Sequence, residues 1–578
     1  MRRILVLVAG AGVAALVVAT AFAASGGTLV TTGSPTTPFS QNKQNEPAVA
    51  VDQANPSVLA AGANENIDME ACNAGDPTTC PFTTGVGSTG IYFSFNGGES
   101  WTQPTYTGWT ARDCLGPAAC QPHDGPIGTL PNYFEAGLVS DGDPTLAFGP
   151  SPDANGHFSY ANGSRLYAGN LTSNFSSVRS ELAFKGFEDI AVSHTDDLAA
   201  AAAGSNAAWS APVLVGKQNA ALFNDKINVW ADNASSSKFF GNVYVCNTSF
   251  RSQEKGNAAA SPILFYRSTD GGNTFGNPVQ LSPATGNGQT GGRQDCATRT
   301  DSNGTVYVYW DGFVGSTGVG AIYQARSFDG GQSFDKARVI ATFVPCGIFD
   351  PPNGAPSFDG TAGDRTGSEP LVDIANGAPT GGDATNEIVL TYCDGQTPTD
   401  TSPGPNEHAA VVYSTDGGNT FNKIANAADP GDRPDFPAVS ISPDGKNVWL
   451  DYDAFLQPWQ STTSAPRLMQ GVVKHATITA GVPSAFTDVD RAPIGDARGS
   501  SSNDLTSGFI GDYNYAAATR AAGILVWNDV RNAADCPAED AYRESLVGGP
   551  AAPRPAPATD CPATFGNTDI WGGVYPNP

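Results

Sequence analysis

Acidic residues recur in this sequence at the points where short apolar runs begin. Seven such openings are Glu46-Pro-Ala-Val-Ala-Val, Asp143-Pro-Thr-Leu-Ala-Phe, Asp225-Lys-Ile-Asn-Val-Trp, Asp295-Cys-Ala-Thr, Glu369-Pro-Leu-Val-Asp-Ile, Asp435-Phe-Pro-Ala-Val-Ser-Ile and Asp512-Tyr-Asn-Tyr-Ala. If the fold gathers these carboxyl groups on one rim, crowding raises some of their pKa values, which suits proton donation or cation binding. Their plainer role is to accept backbone or hydroxyl hydrogen bonds where a strand starts. Lys226, Arg293, Arg365 and Arg433 are interleaved with the acids. A rim of both signs suits a carboxylated or hydroxyl-rich ligand, so Arg293, Arg365, Arg433, Asp295 and Asp435 are candidate substrate-binding residues.

The elements that must carry these residues are short strands. A second apolar run follows each opener, as in Val58-Leu-Ala-Ala, Arg165-Leu-Tyr-Ala, Thr305-Val-Tyr-Val-Tyr-Trp and Gly523-Ile-Leu-Val-Trp. Four turns have the form S-x-D/N-G-G-x-S/T-aromatic: Ser94 to Trp101, Ser268 to Phe275, Ser327 to Phe334 and Ser414 to Phe421. Each follows a strand-like run. In such a turn the Asp or Asn side chain accepts from backbone N–H groups, the Gly pair supplies positive φ, and the aromatic packs beneath. With 67 Gly, 43 Pro and only 15% charged residues, the chain reads as all-β.

Charge and targeting narrow the class. Fifty-six Asp and Glu against 30 Lys and Arg give a net charge of −26, which excludes phosphate-neutralising contact with nucleic acid. Arg2 and Arg3, the apolar run Ile4 to Val18 and Ala21-Phe-Ala23 read as a secretory signal over residues 1–24, with no membrane association after its removal. The ten cysteines then suit disulfides in an exported protein, with local pairs Cys72–Cys80, Cys114–Cys120 and Cys536–Cys561 favoured. No paired CxxC stands near the scattered His residues, so no metal site is expected.

The four turns resemble the Asp boxes (BNR repeats) of the sialidase-like β-propellers. The resemblance covers most of the chain after residue 45 and implies a single β-propeller of six or seven four-stranded blades. Seven openers favour seven blades, whereas known sialidases have six. Residues 25–45 read as an N-terminal linker and 46–578 as the propeller. In that topology the box turns lie on one face, while the openers lie on the other with the second-strand ends Asp311, Asp394, Asp453 and Asp529.

The resemblance also assigns roles. Gly367-Ser-Glu-Pro-Leu-Val-Asp-Ile is similar to the stretch holding the Glu that assists a sialidase nucleophile, which points to Glu369. Gly511-Asp-Tyr-Asn-Tyr is similar to the opener carrying the nucleophilic Tyr, which points to Tyr513, with Tyr515 as the alternative. A neutral phenol avoids the repulsion that a carboxylate nucleophile would meet from an acidic sugar. The family's acid lies after the second strand of the first blade, where Asp68 and Asp76 stand, and Asp68 is preferred.

Two departures stand out: Asn45-Glu46-Pro47 replaces the family's opening Arg, and Tyr392-Cys-Asp394 stands where another Arg is expected. The expected function is a secreted, monomeric, sialidase-like glycoside hydrolase acting on an extracellular glycan or glycoconjugate. The alternatives are a non-catalytic glycan- or protein-binding propeller, and another hydrolase or lyase using paired carboxylates. No cofactor is expected, structural calcium being the one ion considered.

Overall fold

The computed structural model describes residues 26–71, 83–116, 118–216, 222–251, 261–284, 293–315, 317, 319–350, 355–357, 366–367, 369–395, 407–460, 462–463, 465–502 and 505–578. The expected signal segment, Cys72, Cys80, Asp76 and Arg365 lie outside these residues.

Seven antiparallel sheets form the blades of a ring, a seven-bladed β-propeller. The innermost strands are Gln44–Val51, Thr145–Pro152, Leu222–Ala231, Arg293–Thr300, Leu371–Ile374, Arg433–Ile441 and Tyr515–Ala518. Each pairs outward with the strand that follows it, for example Arg293–Thr300 with Val306–Phe313, Gly320–Ser327 and Arg338–Phe343. The apolar faces meet between blades. Tyr244, Cys246, Phe265, Val306, Val308 and Trp310 form one interblade core, and Tyr309, Ile322, Ile388, Leu390 and Tyr392 form the next.

An innermost strand has a free edge facing the channel, and unpaired N–H groups there need partners. Side chains of the preceding blade supply them. Thr145 Oγ1 accepts from Val229 N at 3.1 Å, Asn228 Oδ1 from Thr298 N at 3.0 Å, and Asp373 Oδ2 from Ile441 N at 3.0 Å.

The four repeat turns sit between third and fourth strand positions. In the turn at Ser268, its Oγ donates to Asp270 Oδ1 (2.7 Å) and accepts from Gly272 N (2.9 Å), while Asp270 Oδ1 accepts from Thr274 N (3.0 Å). Gly271 and Gly272 have φ of 74° and 84°. The closing aromatic reaches the previous blade: Phe334 meets Phe265 edge-on at 4.8 Å, and Phe421 meets Tyr309 at 6.4 Å.

Ring closure uses the segment read as a linker. Thr28–Leu29 is the outermost strand of the seventh blade, paired with Asp569–Pro576 through Thr28 opposite Gly572 and Leu29 opposite Trp571. A two-residue strand has too little periodicity to be seen in a sequence.

Four disulfides are present among the described residues. Cys114–Cys120 and Cys536–Cys561 are the expected local pairs. Cys246–Cys296 joins the second strand of the third blade to the innermost strand of the fourth, and Cys346–Cys393 ties a loop to the fifth blade. Among the described residues, no helix is long and apolar enough to cross a membrane.

Candidate functional site

The openers meet at the channel mouth because the innermost strands are distorted there. Register slips by a residue between Asn45 and Ala48, Asp225 and Asn228, Gln294 and Cys296, and Asp435 and Ala438. These are β-bulges, which bend a strand and redirect a side chain. Inside them Glu46, Lys226, Asp295 and Phe436 hold φ of 55°, 55°, 54° and 51°, and Asp143 holds 50° just before its strand. Glycine adopts this conformation without cost, whereas other residues pay of order 1 kcal/mol or more. Four of the five are charged, so the strained positions are spent on charged side chains.

Asparagines of the preceding blades fix the strained backbone. Asn528 Oδ1 accepts from Glu46 N at 2.9 Å, and Asn64 Oδ1 accepts from Asp143 N at 2.8 Å. Asn64 Nδ2 also donates to Glu46 Oε2 at 2.6 Å.

The charges interact closely. Lys226 Nζ pairs with Asp512 and lies 3.9 Å from Asp295 Oδ1. Burial disfavours the ammonium, but Asp512, Asp295, Asp225 and Glu369 outweigh it and hold Lys226 firmly charged. The carboxyl group of Asp143 is hydrogen-bonded to those of Glu46 and Asp225. Two carboxylates this close share protons. Burial, then the charge of Glu46, drives the Asp143 pKa well above the carboxylate range, while burial and Asp143 raise Asp225 to about 7. Glu369 is raised by burial and by Asp295, with Lys226 opposing. The Tyr513 phenol is raised by burial and then by Asp143, Glu46, Glu369 and Asp512. Asp311 at the end of its strand is raised by burial and Asp295.

The mouth therefore brings together Tyr513, Glu369 and Asp295 of the expected residues, with Glu46, Asp143, Lys226 and Asp512. Others lie apart. Asp68 is fully buried and accepts from Arg112, from Gly128 N at 3.1 Å and from Thr129 Oγ1 at 2.7 Å, tying its loop to the Tyr106–Ile127 hairpin region. Arg433 is 2% exposed and grips Glu407 with both Nε (2.9 Å) and Nη2 (2.8 Å). Asp435 is 1% exposed, accepts from Thr366 Oγ1 at 2.6 Å and from Phe436 N at 3.1 Å, and adjoins Asp453. The bulge turns Phe436, not Asp435, into the strained position. Arg293 belongs to an innermost strand, and its side chain lies outside the described residues.

Two features escape the strand pattern. Glu188 stands beside Asp141, Asp225 and Asp143, and burial followed by those charges raises its pKa well above normal. The positioning residues Asn64 and Asn528 carry no repeat signal of their own. Among the described residues, no group of three His, Cys, Asp or Glu side chains has the arrangement to hold a metal ion.

No family model and no curated relative matches the chain. Among solved structures, it is similar to the intramolecular trans-sialidase of Ruminococcus gnavus, with 12% identity, 81% of this chain and 98% of that one covered, and a TM-score of 0.40. It is also similar to an α-L-arabinofuranosidase of Fusarium graminearum, with 13% identity, coverage of 75% and 92%, and a TM-score of 0.39. A third is an α-L-arabinanase of Penicillium chrysogenum, with 12% identity, coverage of 75% and 93%, and a TM-score of 0.36. The likeness is one of fold alone.

Proposed function

We propose that the protein is an exported glycoside hydrolase that works at the acidic channel mouth on an uncharged part of an extracellular glycan. The observation that carries this is the hydrogen-bonded set of Glu46, Asp143 and Asp225 beside the Lys226–Asp512 ion pair. One set keeps a proton at neutral pH and the other keeps a charge. Glycoside cleavage needs that division: an acid to protonate the leaving oxygen, and an ionised or activated partner on the opposite face of the sugar. In this reading Asp143 is the proton donor. Tyr513, whose phenol feels the charges of Asp143, Glu46, Glu369 and Asp512, is the nucleophile that Glu369 assists, or it positions the sugar for attack by a water that Asp512 activates. The resemblance of the turns to Asp boxes supports the same reaction class. The four disulfides suit an oxidising, extracellular setting.

Hydrolysis of a sialoside is the finer alternative, and it needs a cationic grip on the sugar's carboxylate. Arg433 is engaged by Glu407 and Lys226 by Asp512, which favours a neutral sugar. A panel of fluorogenic neutral, uronic and sialic glycosides tests this. Turnover of a neutral glycoside is expected, with loss of at least about a hundredfold in kcat for Asp143→Asn. Sialoside turnover that survives Asp143→Asn but falls with Tyr513→Phe and Glu369→Gln would restore the sialidase mechanism.

A glycan-binding propeller without turnover is the second reading. The low exposure of Glu46 (2%), Asp295 (4%) and Tyr513 (7%) favours it. Saturable glycan binding with no cleavage across the panel would establish it.

A further inference from the structure

The other end of the channel holds a chamber of about 60 Å³. Its lining comes from all seven innermost strands or the turns after them and includes Ala50, Ala147, Trp230, Arg299, Ser440 and Tyr515. The segment from Ala375 to Asn386 crosses beneath it. Pro379 O accepts from Ser235 N at 2.9 Å, Asn386 Oδ1 from Ser302 N at 2.9 Å, Pro443 O from Gly377 N at 2.9 Å, and Ala378 O from Arg520 Nη1 at 2.7 Å. The floor is thereby tied to the third, fourth, sixth and seventh blades.

Arg299 is the distinctive group in this wall. It is 7% exposed and stacks on Trp230 with its guanidinium carbon 4.4 Å from the ring centre. Its Nη1 donates to Thr298 O at 2.8 Å, but its buried Nε makes no hydrogen bond. Asp373 Oδ1 forms an ion pair with Arg299 at 3.6 Å from Nε, beyond hydrogen-bond reach. Asp373 is already satisfied, accepting from Ile374 N (2.9 Å), Ser440 Oγ (2.6 Å) and Ile441 N (3.0 Å). The Nε and Nη2 edge of a guanidinium is the fork that matches a planar oxyanion. Asn228 links Arg299 to a further donor. Its Oδ1 lies 3.5 Å from Arg299 Nη1, and its Nδ2 donates to the Tyr515 hydroxyl at 2.8 Å, leaving the phenolic proton to be given elsewhere.

We infer that this chamber is a second ligand site, distinct from the acidic mouth, which binds a small monocarboxylate through Arg299 and Tyr515. The apolar wall of Ala50, Ala147 and Leu146 takes the carbon end of such a ligand. A chamber of this size admits a ligand of a few non-hydrogen atoms.

Calorimetric titration of the whole protein with sodium acetate, against sodium chloride at the same ionic strength, tests the assignment. One saturable acetate site is expected. Arg299→Gln weakens it about tenfold or more, and Tyr515→Phe, which leaves the Arg299–Asp373 pair intact, weakens it about threefold to fivefold. Absence of saturable acetate binding overturns the proposal, as does equal affinity in wild type and Tyr515→Phe. Inorganic phosphate binding more tightly than acetate would replace a planar carboxylate with a tetrahedral oxyanion and overturn the ligand class. Glycoside turnover is measured in parallel with and without saturating acetate and is expected to be the same in both, so this test stands or falls separately from the mouth.

Discussion

At the scale of single residues, the mouth holds strained and crowded carboxyl groups at a cost in stability. Asp143 has φ of 50°, is hydrogen-bonded to two other carboxyl groups, and keeps its backbone N–H on Asn64 Oδ1. Asp143→Gly would keep that last bond, remove the backbone strain and end the crowding of buried acids. The variant is therefore expected to be more stable by about 1 kcal/mol, even after the entropy that glycine costs. It should also have lost the proposed proton donor. A denaturant midpoint that rises while glycoside turnover disappears would show both effects in one protein. A fall in stability would mean that the Asp143 side chain holds the mouth together, and that its role is structural.

At the scale of elements, the strands were legible in the sequence because the openers and turns repeat, but the bulges were not. An inserted residue leaves an apolar pattern almost unchanged while moving the channel position from Asp225 to Lys226 and from Asp435 to Phe436. The surroundings of Asp68 were hidden for another reason: a loop acid has no period, and only the structure reveals its bond to Thr129. The interblade disulfides were also hidden, since Cys246 and Cys296 are 50 residues apart and look unrelated until blades stand side by side. Cys296 follows the strained Asp295, so that bridge pins a bulge as well as two blades. Replacing both cysteines by Ala should cost about 2–4 kcal/mol in chemical denaturation and lower activity in the folded fraction. The closing strand makes a related prediction. Removing residues 26–31 deletes the pairing with Asp569–Pro576 and the bond from Gly26 N to Asp490 at 2.9 Å, so the seventh blade should become the first to lose amide-exchange protection. Removal of the expected signal segment, residues 1–24, would leave this strand intact, whereas cleavage past Leu29 would open the ring.

Across the whole molecule, the surplus of acid divides into two populations that respond to pH in opposite directions. In the repeat turns, Asp329 and Asp416 are held at about 2; hydrogen bonds from Ser333 and Ser327 outweigh burial for the first, and those from Thr420 lead for the second. A carboxyl group lowered in the folded state contributes stability above its ordinary pKa, and that contribution fades as pH falls through about 4 toward 2. The buried acids behave in reverse. Burial raises Glu65 to about 7, Asp225 to about 7, Asp232 to about 7 and Asp141 to about 6. Between pH 4 and 7 the folded chain holds protons on these groups that the unfolded chain has released. Stability should therefore fall as pH rises through that window and level off above it. Together the two populations place maximum stability near pH 4 to 5, although a net charge of −26 at neutrality already suggests relief of repulsion on acidification. The two causes separate with salt. Long-range repulsion is screened at high ionic strength, whereas proton binding by buried groups is not. Melting temperature measured from pH 3 to 8 at low and high salt should keep its acid maximum in both series. A maximum that vanishes in high salt would assign the effect to surface charge and leave the buried carboxyl groups ionised.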